Sequence, residues 1–127
     1  MPSLFVIATC LAFAAGPQPA VSSYVDPFIG CSENGHTFPG ACRPFGLVQA
    51  SPDTGNFDWI HCAGYLWTDK TTFGFSQTHL NGTGNGDLGD LLVQPGEGAF
   101  PQALGKASET ASPGYYAVTL GNGVRTE

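Results

Sequence analysis

Apolar residues along this chain fall in short runs and not at helical spacing. Residues 45–50, 63–67, 72–76, 90–94 and 115–120 are each apolar or alternating, and each is bounded by Gly, Pro, Asn or Asp. That punctuation predicts short β-strands joined by turns, because the i, i+3, i+4 recurrence of an amphipathic helix is nearly absent. The clearest element is 115–120 (YYAVTL), rich in β-formers and followed by Gly121-Asn122-Gly123 and a second run, 124–127. An Asn-Gly between two such runs predicts a hairpin. Its second arm stops after four residues, so the sequence is expected to be part of a longer protein. Residues 95–113 are rich in Pro, Gly and Ala and predict an extended loop.

Residues 4–15 (LFVIATCLAFAA) form an apolar run too short to span a bilayer, followed by small residues. This predicts a signal peptide over 1–20, with Ala12-Phe13-Ala14 or Ala20 marking cleavage, and hence a secreted or periplasmic protein. A buried N-terminal strand or helix is the structural alternative. No other stretch is long and apolar enough to cross a membrane.

The rest, 21–127, is one domain's worth of chain. Eighteen Gly and ten Pro would suggest disorder, but nine Phe, four Tyr and two Trp supply the apolar area for a core. Ten acidic residues against four basic ones give a net charge of −6. That field repels a phosphate backbone, which argues against nucleic acid and anionic membranes and suits a neutral ligand. Beyond Cys10, the cysteines are Cys31, Cys42 and Cys62, an odd number that permits at most one internal disulfide, Cys31 with Cys42 being the nearest pair. Their spacing matches no zinc pattern, and they read mainly as small buried residues.

The densest chemistry lies in 64–90 (GYLWTDKTTFGFSQTHLNGTGNGDLGD). Its glycines let backbone approach a partner closely. His79, Asn81, Thr83, Asn85, Asp87 and Asp90 surround that backbone with hydrogen-bonding groups, a composition suited to a polyhydroxylated ligand. Asp87 and Asp90 equally suit Asx-turns, and 85–90 lacks the length and terminal Glu of an EF-hand loop. Asn81-Gly82-Thr83 also reads as a glycosylation sequon, taken as a chance match because a glycan would crowd the loop.

Several strings in this order carry a family resemblance: 24–30 (YVDPFIG), 35–45 (GHTFPGACRPF), 46–54 (GLVQASPDT), 74–90 (GFSQTHLNGTGNGDLGD) and 111–120 (ASPGYYAVTL). Together they resemble the N-terminal domain of family 92 glycoside hydrolases, which are largely exo-acting α-mannosidases. The resemblance implies a mainly β fold, an antiparallel β-sandwich packed on a larger, α-helical catalytic domain missing here. It also implies an inverting, calcium-dependent reaction on mannose-terminated oligosaccharides or N-glycans. The acid, the base and most calcium-binding groups would belong to that larger domain. In agreement, no spacing among Asp53, Asp58, Asp69, Asp87 and Asp90 singles out the carboxylate pair an inverting glycosidase needs.

Four residues are substrate-binding candidates. Trp59 matches the first Trp of the family's W-x-W-C-S-G-Y-like segment, and an indole face suits the C–H side of a pyranose. A core Trp is the competing reading. The segment departs from the family at Ile60-His61, leaving the second aromatic unmatched. Trp67 is a weaker candidate, since the family more often has a smaller or hydroxylated residue there. His79, in SQTHLNGTG, is either a hydroxyl binder or a loop brace, and His36 in GHTFPG has the same two readings. Three functions follow: the N-terminal portion of a secreted mannosidase, a free-standing carbohydrate-binding module, or a β-domain that docks another domain.

Overall fold

Short strands and tight turns dominate the structure, a computed structural model that describes residues 19–55, 58–82, 85–86 and 89–127. The expected leader and Asp87 therefore fall outside the described residues, apart from the exposed 19–20. The strands are β1 (Ser51–Asp53), β2 (Thr71–Thr72), β3 (Gly74–Ser76), β4 (Gln102–Ala103), β5 (Thr110–Ser112), β6 (Tyr115–Thr119) and β7 (Arg125–Thr126). Helix is confined, among the described residues, to two 3-10 turns, Val21–Tyr24 and Lys106–Ser108. Every pairing is antiparallel: β1 with β3, β2 with β4, and β5-β6-β7 as a three-stranded sheet. The mainly β, antiparallel expectation holds, with the strands distributed over three small sheets.

The hairpin forms as its turn residues dictate. Asn122 Oδ1 accepts the Val124 N–H at 3.1 Å, and Leu120 N–H donates to the Val124 carbonyl at 2.8 Å. Tyr116, Ala117 and Val118 are buried consecutively, so both faces of β6 are covered. Around it gather Cys31, Phe38, Ala63, Tyr65, Phe75, Leu104 and Leu120.

Four expectations need correction. The run 72–76 is two strands, because Gly74 takes φ +145° and Phe73 turns outward, so β2 joins β4 while β3 joins β1. Residues 63–67 are turn and irregular backbone, although Ala63 and Tyr65 are in the core; in 45–50, Phe45 and Leu47 point to solvent and only Ala50 makes a bridge, to Ala41. Residues 95–113 are not one loop: they hold β4, a 3-10 turn and β5.

The sheet β5-β6 is locked to the rest by a buried carboxylate. Glu109 Oε1 accepts from Tyr116 Oη at 2.6 Å and from Tyr65 Oη at 2.8 Å, while Lys106 Nζ lies 2.7 Å from Oε2. A charge buried this way is tolerated because Oε1 accepts two hydrogen bonds and Oε2 faces the Lys106 ammonium. Burial, reinforced by Glu109, pushes both phenols far up, so they remain donors. Cys31, Cys42 and Cys62 are all free thiols, with burial raising Cys31 and Cys42.

Candidate functional site

The segments around His36 and His79 lie side by side. Gly82 N–H donates to the His36 carbonyl at 2.6 Å, and the Phe38 ring rests on the His79 imidazole with centroids 4.8 Å apart. Beneath them runs a buried polar network. His79 Nε2 is 2.9 Å from Asp53 Oδ1 and 3.0 Å from Ser76 Oγ, and Nδ1 is 2.7 Å from the Gln49 carbonyl. Ser76 Oγ donates to Asp53 Oδ1 at 2.9 Å, and Ser76 N–H to Oδ2 at 2.8 Å. Both ring nitrogens face oxygens, so an imidazolium paired with the Asp53 carboxylate satisfies every contact.

Ser, His and Asp in mutual contact invite comparison with a nucleophilic triad, and the geometry rejects it. A triad places the carboxylate on one ring nitrogen and the hydroxyl on the other. Here both sit on Nε2, and Ser76 is 0% exposed. His79 has no side-chain exposure and is enclosed by Asp53, Ser76 and Gln49.

Gly64 crosses directly over this network at φ +81°, its carbonyl accepting from Thr54 N–H at 2.7 Å. A Cβ there would stand 2.7 Å from both Asp53 Oδ1 and His79 Cδ2. Gly64→Ala is expected to cost about 2 kcal/mol or more, from the left-handed backbone and the collision together. Its urea midpoint checks this; a wild-type midpoint would show that the network yields.

Trp59 lies on the surface, 62% exposed, while Phe38, Tyr65, Phe75 and Tyr116 are buried. Its Nε1–H donates to Asn34 Oδ1 at 3.1 Å, and it packs edge-to-face with His36, centroids 4.9 Å apart at 73°. The core alternative therefore fails for Trp59: the ring is exposed yet held. His36 adopts φ +52°, is 8% exposed, and approaches Cys62 Sγ with Nδ1 at 2.6 Å. Its Nε2 has no partner among the described residues. A buried unpaired nitrogen is rare in folded proteins.

Trp67 belongs to another cluster. Its backbone N–H donates to the Cys31 carbonyl at 2.7 Å, its ring meets Phe28 at 4.8 Å, and Lys106 Nζ stands 4.5 Å over it. That cation–π contact occupies a face a sugar would need. The structure thus joins Trp59, His36 and, one layer below, His79, while Trp67 stands with Lys106 and Phe28. Asn34 and Ser76 went unmarked in the sequence, and nothing in the spacing of Asp53 or Cys62 tied them to these histidines.

Calcium takes six to eight oxygen ligands. Among the described residues no group of three or more His, Cys, Asp or Glu side chains is placed to hold a metal ion. Nor, among them, is any helix long and apolar enough to cross a membrane.

Comparison with known proteins decides the family. The model of the glycosyl hydrolase family 92 N-terminal domain matches residues 24–127. The chain belongs to this family. Of solved structures, a family GH92 α-mannosidase from Bacteroides thetaiotaomicron superimposes with a TM-score of 0.78 at 39% identity, over 87% of this chain and 17% of that one. The same enzyme in complex with mannoimidazole gives 0.72 at 39% identity, over 82% of this chain and 16% of that one. An uncharacterized secreted glycosidase of Arthroderma benhamiae is 29% identical over 149 aligned positions, covering 99% of this chain and 18% of that protein. The chain thus spans less than a fifth of the length of these relatives. The family 92 N-terminal domain accounts for its β-rich, antiparallel build.

Proposed function

We propose that this domain forms part of the substrate-facing wall of an exported exo-α-mannosidase that removes mannose from mannose-terminated glycans. On this reading residues 1–20 are the signal peptide, and 21–127 are a β-sandwich-type domain docked on a catalytic domain of the same protein. That catalytic domain carries the acid, the base and any calcium of an inverting reaction. Trp59 is the sugar platform, its exposure and its tie to Asn34 being the observation that carries the proposal. A ring fixed in advance loses little freedom when a pyranose stacks on it. His36 is the second group of this site, supported by its edge-to-face contact with Trp59. Trp67, held in a separate cluster by Phe28 and Lys106, is set apart from this platform, and His79 supports the loop from below.

Two further observations support the assignment. The α-mannosidase that this chain resembles at 39% identity has been solved with mannoimidazole bound. Ile29, Phe45, Leu47 and Leu91 are more than 70% exposed, large apolar side chains that a neighbouring domain would cover.

The test is Trp59→Ala in the complete protein, with a mannose-terminated oligosaccharide as substrate. KM is expected to rise about tenfold, equivalent to about 1.4 kcal/mol of binding. If the sugar stacks equally in ground and transition states, kcat stays unchanged. Wild-type KM in a folded Trp59→Ala protein would remove the platform.

A further inference from the structure

The turn that displays Trp59 is closed by a histidine held between two carboxylates. His61 Nδ1 lies 2.7 Å from Asp58 Oδ1, and Nε2 lies 2.9 Å from Asp69 Oδ2. The His61 backbone N–H donates to the same Asp58 oxygen at 3.0 Å, and its carbonyl accepts from Gly64 N–H at 2.7 Å. The ring lies against Gly55, where a Cβ would have no room. Trp59 sits inside this closure, one residue past Asp58 and two before His61.

A neutral imidazole has one N–H and one lone pair, whereas a carboxylate only accepts. The imidazolium alone donates to Asp58 and Asp69 together. We infer that His61 is a positioning residue for Trp59: charged, it ties the 58–61 turn to Asp69, and neutral, it must release one of the two carboxylates. The inference rests on Trp59 being the sugar platform. It concerns the place where this chain departs from the family's motif, so it describes a property of this protein and not of its relatives in general.

Asp58 and Asp69 are the charged groups facing the ring. Tyr65, close enough to feel Asp69, stays protonated because burial and Glu109 push it far up. The side-chain and backbone hydrogen bonds from His61 hold the Asp58 carboxyl below the usual range. The two limbs have opposite signs. A contribution from a depressed carboxyl is present above its unfolded pKa and lost only as pH falls through the depressed value. A contribution from the charged imidazole is present in acid and lost as the ring becomes neutral. The clamp is therefore closed while the ring is charged and loosens once it is neutral.

The experiment is hydrogen exchange of the His61 and Gly64 amides in the complete protein between about pH 5 and about pH 9. KM for a mannose-terminated oligosaccharide is read at each pH. After correction for intrinsic exchange, protection is expected to fall about fivefold across that range, with KM rising by a similar factor. Asp69→Asn should flatten both profiles. The Asn amide donates to the lone pair of neutral Nε2 while Nδ1–H still donates to Asp58, so both contacts survive loss of the proton. Flat protection in the wild type, or an unchanged alkaline limb in Asp69→Asn, would overturn the clamp. Trp59→Ala with wild-type KM would instead overturn the platform, and with it the clamp's influence on substrate, whatever the amides report.

Discussion

His79→Ala is expected to lower the stability of this domain by about 3 kcal/mol, a loss typical of leaving one partner of a buried ion pair without the other. Asp53 is 2% exposed, and its Oδ1 would keep only the Ser76 hydroxyl, with the Gln49 carbonyl also losing its donor. Ser76→Ala should cost less, about 1 kcal/mol, since Ser76 N–H still reaches Asp53 Oδ2 and His79 still pairs with Oδ1. Chemical denaturation followed by tryptophan fluorescence measures both. A His79→Ala protein that keeps wild-type stability but loses affinity for mannosides would make His79 a ligand contact and refute its role as brace.

The contrast between Trp59 and His79 shows how far residue type alone reaches. Both stood out in sequence, yet nothing in the string SQTHLNGTG says that the imidazole would be enclosed by Asp53 and Gln49 from a segment some 26–30 residues earlier. That enclosure depends on β1 pairing with β3, and β1 is Ser-Pro-Asp. Pro and Asp are poor strand formers, so the strand that builds the brace is the one propensity hides. The hairpin β6-β7 was legible because its turn chemistry and its β-formers agree. Residues 45–50 misled for the reverse reason: their apolar content matched a strand, but Phe45 and Leu47 face outward. Apolar pattern reports which residues seek cover, and cannot say whether this domain or a neighbour provides it.

The 127-residue chain alone, with or without calcium, is expected to show no hydrolysis of aryl α-mannosides above a heat-denatured control. Inverting hydrolysis needs an acid and a base about 6.5–9.5 Å apart across the scissile bond, both free to exchange protons with substrate and water. The carboxylates near the candidate site are committed elsewhere. Asp53 is sealed beneath His79 and Ser76, Asp58 and Asp69 grip His61, and Glu109 is enclosed by Tyr65, Tyr116 and Lys106. Stacking on Trp59, the proposed platform, would orient a sugar but protonates no leaving group. Glycosidase rate enhancements reach many orders of magnitude, so even a poor active site would register in an overnight assay. Measurable turnover, abolished by Asp58→Asn or Asp69→Asn, would place catalytic carboxylates in this domain and overturn its assignment as a binding wall. Weak mannoside binding without turnover, lost in Trp59→Ala, is the expected result.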